Sequence, residues 1–151
     1  SNLAAAADLS EAALETLLTN IQLIKYDRGI LIGAGAASLH IPPALQFTAE
    51  KILMSPGSTV STNNFARNDI NAIRALGAVP GGYFVNRRFT DTNAYFIKTD
   101  VPNGAKMFVR TALQTKMEED FDTGNLRFKA RERFSFGVSD WRSYFGSAGG
   151  S

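Results

Sequence analysis

The chain has 151 residues, 44% of them hydrophobic, and no cysteine, so it has material for a buried core but cannot form a disulfide, a thiolate metal site or a thiol nucleophile. A single histidine, His40, weighs against histidine-rich metal centres and against any mechanism needing two imidazoles. Sixteen basic against fourteen acidic residues leave +2, which permits a polyanionic partner without requiring one, and the longest apolar run, Ile30 to Ala37, falls far short of the roughly 20 residues that cross a bilayer.

Residues 1–7 are mostly alanine or small and polar, and Gly146 to Ser151 are Gly, Ser and Ala, so the start is expected to be flexible and the tail, 141–151, to fray. Leu3 to Ala7 has no basic flank, so a secretory leader is not expected. Asp8 three residues before Glu11 has capping-box spacing. Leu14, Leu17, Leu18, Ile21 and Ile24 then recur at three- and four-residue steps, which predicts a helix from about Leu9 to Tyr26, stopped at Asp27-Arg28-Gly29. Ser38 to Ile41 reads as a short strand ending at Pro42-Pro43, and the second proline suits the first turn of a helix running to Leu53, broken by Ser55-Pro56-Gly57. Pro56 to Asn64 reads as a loop, and Asn68 to Leu76 as a short helix capped by Gly77.

From Gly82 the period changes to two. Tyr83–Phe89, Ala94–Lys98 and Lys106–Met117 read as strands of a β-meander. The clearest element is Leu126 to Val138, where Leu126, Phe128, Ala130, Phe134, Phe136 and Val138 take every even position except Glu132, and Arg127, Lys129, Arg131 and Arg133 take odd ones. That alternation predicts an antiparallel strand with one buried and one polar face. Its thirteen positions reach about 43 Å, long for a domain of this size, so it needs an equally extended neighbour, within an elongated domain or across a subunit boundary. The division expected is an α+β part over residues 8–80 and an antiparallel β part over 81–140, with no internal repeat.

Two motifs fail on context. Gly33 and Gly35 imitate a dinucleotide-binding turn, but Pro42 and Pro43 follow where a helix should begin, and Ser38 stands at the third glycine. Asp120, Asp122 and Gly124 imitate a calcium loop, but Arg131 occupies the place of the bidentate glutamate, so a reverse turn is expected. His40 reads as a half-buried, hydrogen-bonded strand residue. The serines and threonines have no evident base, and Glu118, Glu119 and Asp120 sit among solvated charges. No catalytic constellation, cofactor site or metal site emerges.

The cationic row is the sharpest electrostatic feature, since period two sets its members about 7 Å apart on one face. It could meet acidic side chains such as Glu118 to Asp122 from an adjacent strand or subunit, meet nucleic-acid phosphates, or simply be solvated. Pairing across strands or subunits is favoured here. Arg87 and Arg88 pose the same question on a smaller scale. The candidate intersubunit contacts are therefore Arg87, Arg88, Arg127, Lys129, Arg131, Arg133, Glu118, Glu119 and Asp120.

Three segments, in order, resemble the carboxyl-terminal half of tailed-bacteriophage major capsid proteins of the Hong Kong 97 fold, including Mu-like head subunits. They are Leu9-Ser10-Glu11 through Asp27-Arg28-Gly29; Leu39-His40-Ile41-Pro42-Pro43-Ala44-Leu45 with Ala49; and Ala94 to Asp100 followed by Asp120-Phe121-Asp122-Thr123, Glu132 to Gly137 and Asp140-Trp141-Arg142. The resemblance implies a noncatalytic shell subunit. It would assemble as hexamers and pentamers around packaged double-stranded DNA, in the virion capsid, after synthesis in the host bacterial cytoplasm. Scaffolding or decoration proteins are possible partners, and no membrane is involved. Residues from Asp8 to about Val79 would be axial-domain material and Tyr83 to Val138 a peripheral sheet. The N-terminal arm, extended loop and spine helix usual in the family are not recognised in this sequence. The competing expectations are a nucleic-acid-binding module using residues 127–133, with Tyr83, Phe84 or Trp141 as stacking groups, an encapsulin-like nanocompartment shell, and a nucleotide-dependent enzyme resting on Gly33 and Gly35.

Overall fold

A computed structural model describes residues 2–57 and 70–150. The chain divides into two compact units, residues 1–102 with 141–151, and residues 103–140. The boundary expected near residue 80 thus falls inside the first unit.

The first unit begins with α1 (Glu11–Gln22), whose leucine stripe is buried at Leu14, Leu17, Leu18 and Ile21. Its cap is Ser10 rather than Asp8: Ala13 N–H donates to Ser10 Oγ at 3.2 Å. The helix stops short of Tyr26 because residues beyond it form a small hairpin. Tyr26 N donates to Ile30 O and Gly29 N to Tyr26 O, each at 2.8 Å, and Gly29 takes φ 82°, a turn conformation open to glycine. Strand β1 (Ala36–Ile41) leads through a 3-10 turn at Pro43–Leu45 into α2 (Gln46–Met54). Of the helix expected at Asn68–Leu76, the described part is the single turn α3 (Ala72–Ala75), and Gly77 follows with φ 59°. Residues 68 and 69, and most of the expected loop to Asn64, lie outside the described residues.

Buried Asn71 ties α3 to α2. Its carboxamide donates to the Ile52 and Ser55 carbonyls, and its Oδ1 accepts from Arg74 N at 3.1 Å. Asn71→Ala leaves those groups without their partner and lowers stability by about 1–3 kcal/mol, read as a shift in the urea midpoint at unchanged m-value.

The strands of this unit do not form the meander expected. The sheet order is β2 (Tyr83–Val85), β1, β3 (Tyr95–Thr99), β6 (Tyr144–Ser147). β2 lies parallel to β1, while β1–β3 and β3–β6 are antiparallel. The parallel pair follows from the approach at Gly81, where Gly81 N donates to Ala37 O at 2.8 Å and a Cβ would sit 2.5 Å from that oxygen. One face of the sheet places Leu39, Ile41, Tyr95, Ile97 and Phe145 in the core cluster with the α1 stripe and Ala49, Ile52 and Leu53 of α2. The other carries His40, Phe84, Phe96 and Lys98.

Among the described residues, the segments 2–8 and 144–150 are held by hydrogen bonds rather than frayed. Leu3 bridges Gly146 in parallel, and Ala4 N donates to Gly146 O at 2.8 Å, so the N-terminal residues extend the sheet beyond β6. Ser147 Oγ accepts from Ala7 N at 3.2 Å, and Gly150 N donates to Asp8 Oδ1 at 3.0 Å. Small residues were misleading here: they read as floppy but let backbones approach within hydrogen-bonding range. Arg142 also anchors the return into β6, bonded to Asp27 at 3.2 Å and lying over Tyr26 and Trp141.

The second unit is a two-stranded antiparallel ribbon of β4 (Ala105–Glu119) and β5 (Leu126–Val138). β4 is longer than β5 by two residues, and irregularities between Val109 and Thr111 and between Thr111 and Gln114 absorb them. The strand expected at Leu126–Val138 is present with those bounds, and its extended neighbour is β4.

Candidate assembly interface

The ribbon register decides which side chains share a face, because directly opposed residues point the same way. One face carries the pairs Ala105/Val138, Met107/Phe136, Val109/Phe134, Thr115/Ala130 and Met117/Phe128. The expected burial of this face is not found: Phe128 is 65% exposed, Phe136 72% and Met117 62%. Two strands alone have no second layer to cover either face, and an isolated hairpin is marginal in water. The ribbon therefore leaves Met107, Val109, Met117, Phe128, Phe134 and Phe136 exposed on one face, which Glu119 and Glu132 also share. Patches of that kind mark interaction sites.

The opposite face carries Arg127, Lys129, Arg131 and Arg133 together, as the alternation requires. Cross-strand pairing, however, holds only at one end. Arg127 lies opposite Glu118 and makes an ion pair with Asp120. Lys129 lies opposite Lys116, Arg131 opposite Gln114 and Arg133 opposite Thr111. Among the described residues, Lys129, Arg131 and Arg133 have no ion pair. Charge is thus segregated along the ribbon, acidic at Glu118, Glu119, Asp120 and Asp122 toward the tip and basic along β5.

The tip is a fixed turn. Gly124 N donates to Asp120 O at 2.8 Å, Asp120 N to Asn125 O at 2.9 Å, and Thr123 Oγ1 to Asp120 Oδ2 at 2.9 Å. The Asp120 carboxylate is thereby engaged by Thr123 and Arg127, and among the described residues no group of three or more metal-ligating side chains gathers. This turn holds up Phe121, which is 102% exposed. The period-two pattern does not reach that residue; a large apolar side chain between Asp120 and Asp122 in a turn was the available signal.

The remaining candidates lie in the first unit. Arg87 and Arg88 are exposed in the turn after β2, where Arg88 N donates to Asn86 Oδ1 at 3.0 Å. Gly35 N–H, one of the amides a phosphate would need, donates to Asp100 Oδ1 at 2.9 Å, and a strand rather than a helix follows. Phe84 stacks on His40 at 5.5 Å, Trp141 lies against Arg142 and Phe145, and the Tyr83 hydroxyl is bonded to Glu50, which raises its pKa.

His40 Nε2 sits 3.1 Å from Ser38 Oγ. Burial, then the charge of Lys98, lowers its pKa below 6.5. The folded state consequently resists protonation that the unfolded chain accepts near 6.5. Stability is full above that value and falls as the pH drops from it toward the lowered pKa. Thermal melts from pH 7.5 down to 5 should show this decline, and His40→Gln should flatten it; equal slopes in both proteins would refute it.

Among the described residues no helix is long and apolar enough to cross a membrane. The sequence matches a family described as phage capsid protein over residues 1–145. No curated protein matches. A crystal structure of a virus-like particle from Pyrococcus furiosus is similar with a TM-score of 0.50 at 13% identity, the alignment covering 97% of this chain and 56% of that one. The chain thus spans little more than half the length of that particle's subunit, and at this identity the likeness concerns the fold.

Proposed function

Because the chain belongs to the phage capsid protein family, a family of structural subunits, we propose that it tiles an icosahedral shell of the Hong Kong 97 type, as hexamers and pentamers around double-stranded DNA. In this reading the first unit is the axial part and the ribbon the peripheral part. The host bacterial cytoplasm supplies subunits, with scaffolding or decoration proteins assisting where needed. The observation that carries the proposal is the ribbon itself: about 43 Å of strand with one apolar face uncovered in the single chain. A chain that leaves this surface bare gains free energy by covering it in an assembly, and closed symmetry repeats each modest contact many times. Charge selects the neighbour: Lys129, Arg131 and Arg133 await acidic groups on another copy.

Expression of the full-length protein, followed by sedimentation and electron microscopy, tests this. Closed particles are expected; a monodisperse monomer at high concentration would overturn it. The unpaired cations of β5 also favour a second reading, a nucleic-acid-binding module. Filter binding over a salt series separates the two, since phosphate binding gives submicromolar affinity that collapses as salt rises.

A further inference from the structure

The first unit contains an apolar cavity of about 390 Å³ lined in part by Leu3, Arg88, Phe89, Ala94 and Phe96. Phe89 and Phe96 meet edge to face at 5.5 Å, an arrangement that accepts a further aromatic ring. A cavity of about 150 Å³ already holds benzene, so a phenyl side chain fits with room for its backbone approach. The charges at its mouth are unequal. Asp91 is turned into its own loop, its Oδ1 accepting from Asn93 N at 2.9 Å and from Ala94 N at 3.3 Å. Arg88 and its neighbour Arg87 are exposed and, among the described residues, have no ion pair.

The ribbon tip has the complementary features. Phe121 projects fully into solvent from a turn already fixed by hydrogen bonds, and Glu119 and Asp122 beside it are exposed and have no ion pair among the described residues. We propose that Phe121 of one copy seats in the Phe89/Phe96 cavity of a second copy, with Glu119 and Asp122 facing Arg87 and Arg88. The proposal rests on the shell reading and names one of its contacts. Each copy has one tip to give and one cavity to fill, so a copy that gives its tip to one neighbour and receives from another makes a head-to-tail contact, which closes as a ring or shell where the rotation allows. A preformed turn loses little entropy on docking, which suits a single aromatic anchor.

The chain has no cysteine, so engineered thiols report cleanly. The full-length protein carrying Phe121→Cys and Thr90→Cys, the latter in the cavity lining beside Phe89, assembled and mildly oxidised, should yield disulfide-linked multimers that neither single variant gives. Equal cross-linking by Phe121→Cys alone would mean that tips meet tips, and a disulfide confined to monomers would mean that each chain fills its own cavity; either overturns the proposal. Charge reversal checks it without thiols. Asp122→Lys and Arg88→Glu should each weaken association about tenfold, and the double variant should restore it. Normal particles from both single variants would overturn the contact while leaving the shell reading intact. Failure of the unsubstituted protein to form particles would remove the shell reading itself.

Discussion

Phe134→Ser with Phe136→Ser is expected to abolish the proposed particle formation by the full-length protein while leaving the melting temperature of the monomer nearly unchanged. Both rings lie on the uncovered ribbon face. Their removal creates no cavity in the core formed by Leu14, Ile21, Leu39 and Ile97. The proposed assembly buries each ring, and a buried phenylalanine contributes about 1.5–3 kcal/mol. Losing two at every repeated contact moves association by several orders of magnitude, because the loss recurs around the shell. Electron microscopy and sedimentation velocity read the assembly; circular dichroism and thermal melting read the fold. Particles of normal yield would show that this face is not where copies meet.

Arg131→Glu with Arg133→Glu also impairs assembly more than folding, by a different route. These guanidiniums lie opposite Gln114 and Thr111 and have no ion pair among the described residues, so reversing them breaks no pair within the ribbon. Across a subunit boundary, however, the reversal turns attraction to acidic groups into repulsion, which costs several kcal/mol where like charges are juxtaposed. Raised salt should partly rescue assembly by screening that repulsion, an effect not expected for the phenylalanine variant. Full assembly of the doubly reversed protein at low salt would contradict the role given to this strip.

Strand β5 was legible in the sequence because its alternation is uninterrupted, and α1 because its leucines keep helical spacing. The burial of β5 was not legible. Period two says that one face is apolar, but what covers that face is a property of the neighbours, and a lone hairpin supplies no layer. Within the chain, the pairing of Glu118 to Asp122 with the basic row occurs at Arg127, since the register gathers the acidic residues at the tip rather than alongside Arg131 and Arg133. The parallel pairing of β1 with β2 depends on Gly81 meeting Ala37, a long-range approach that no local pattern encodes. The held termini failed for a related reason: alanine, serine and glycine look disordered by composition, yet serve here as edge and clasp. Phe121 fell between elements and therefore between rules.

The ribbon enters and leaves the first sheet through strands that are already partners, for Lys98 near the end of β3 is registered with Tyr144 at the start of β6. Within the ribbon its first and last residues are likewise partners, Ala105 with Val138, like the two ends of a loop of thread. Lengthening both strands equally, or exchanging the whole insert for one of different reach, leaves the host sheet's pairing untouched. Evolution can thereby change the length of the ribbon without renegotiating the core of the first unit.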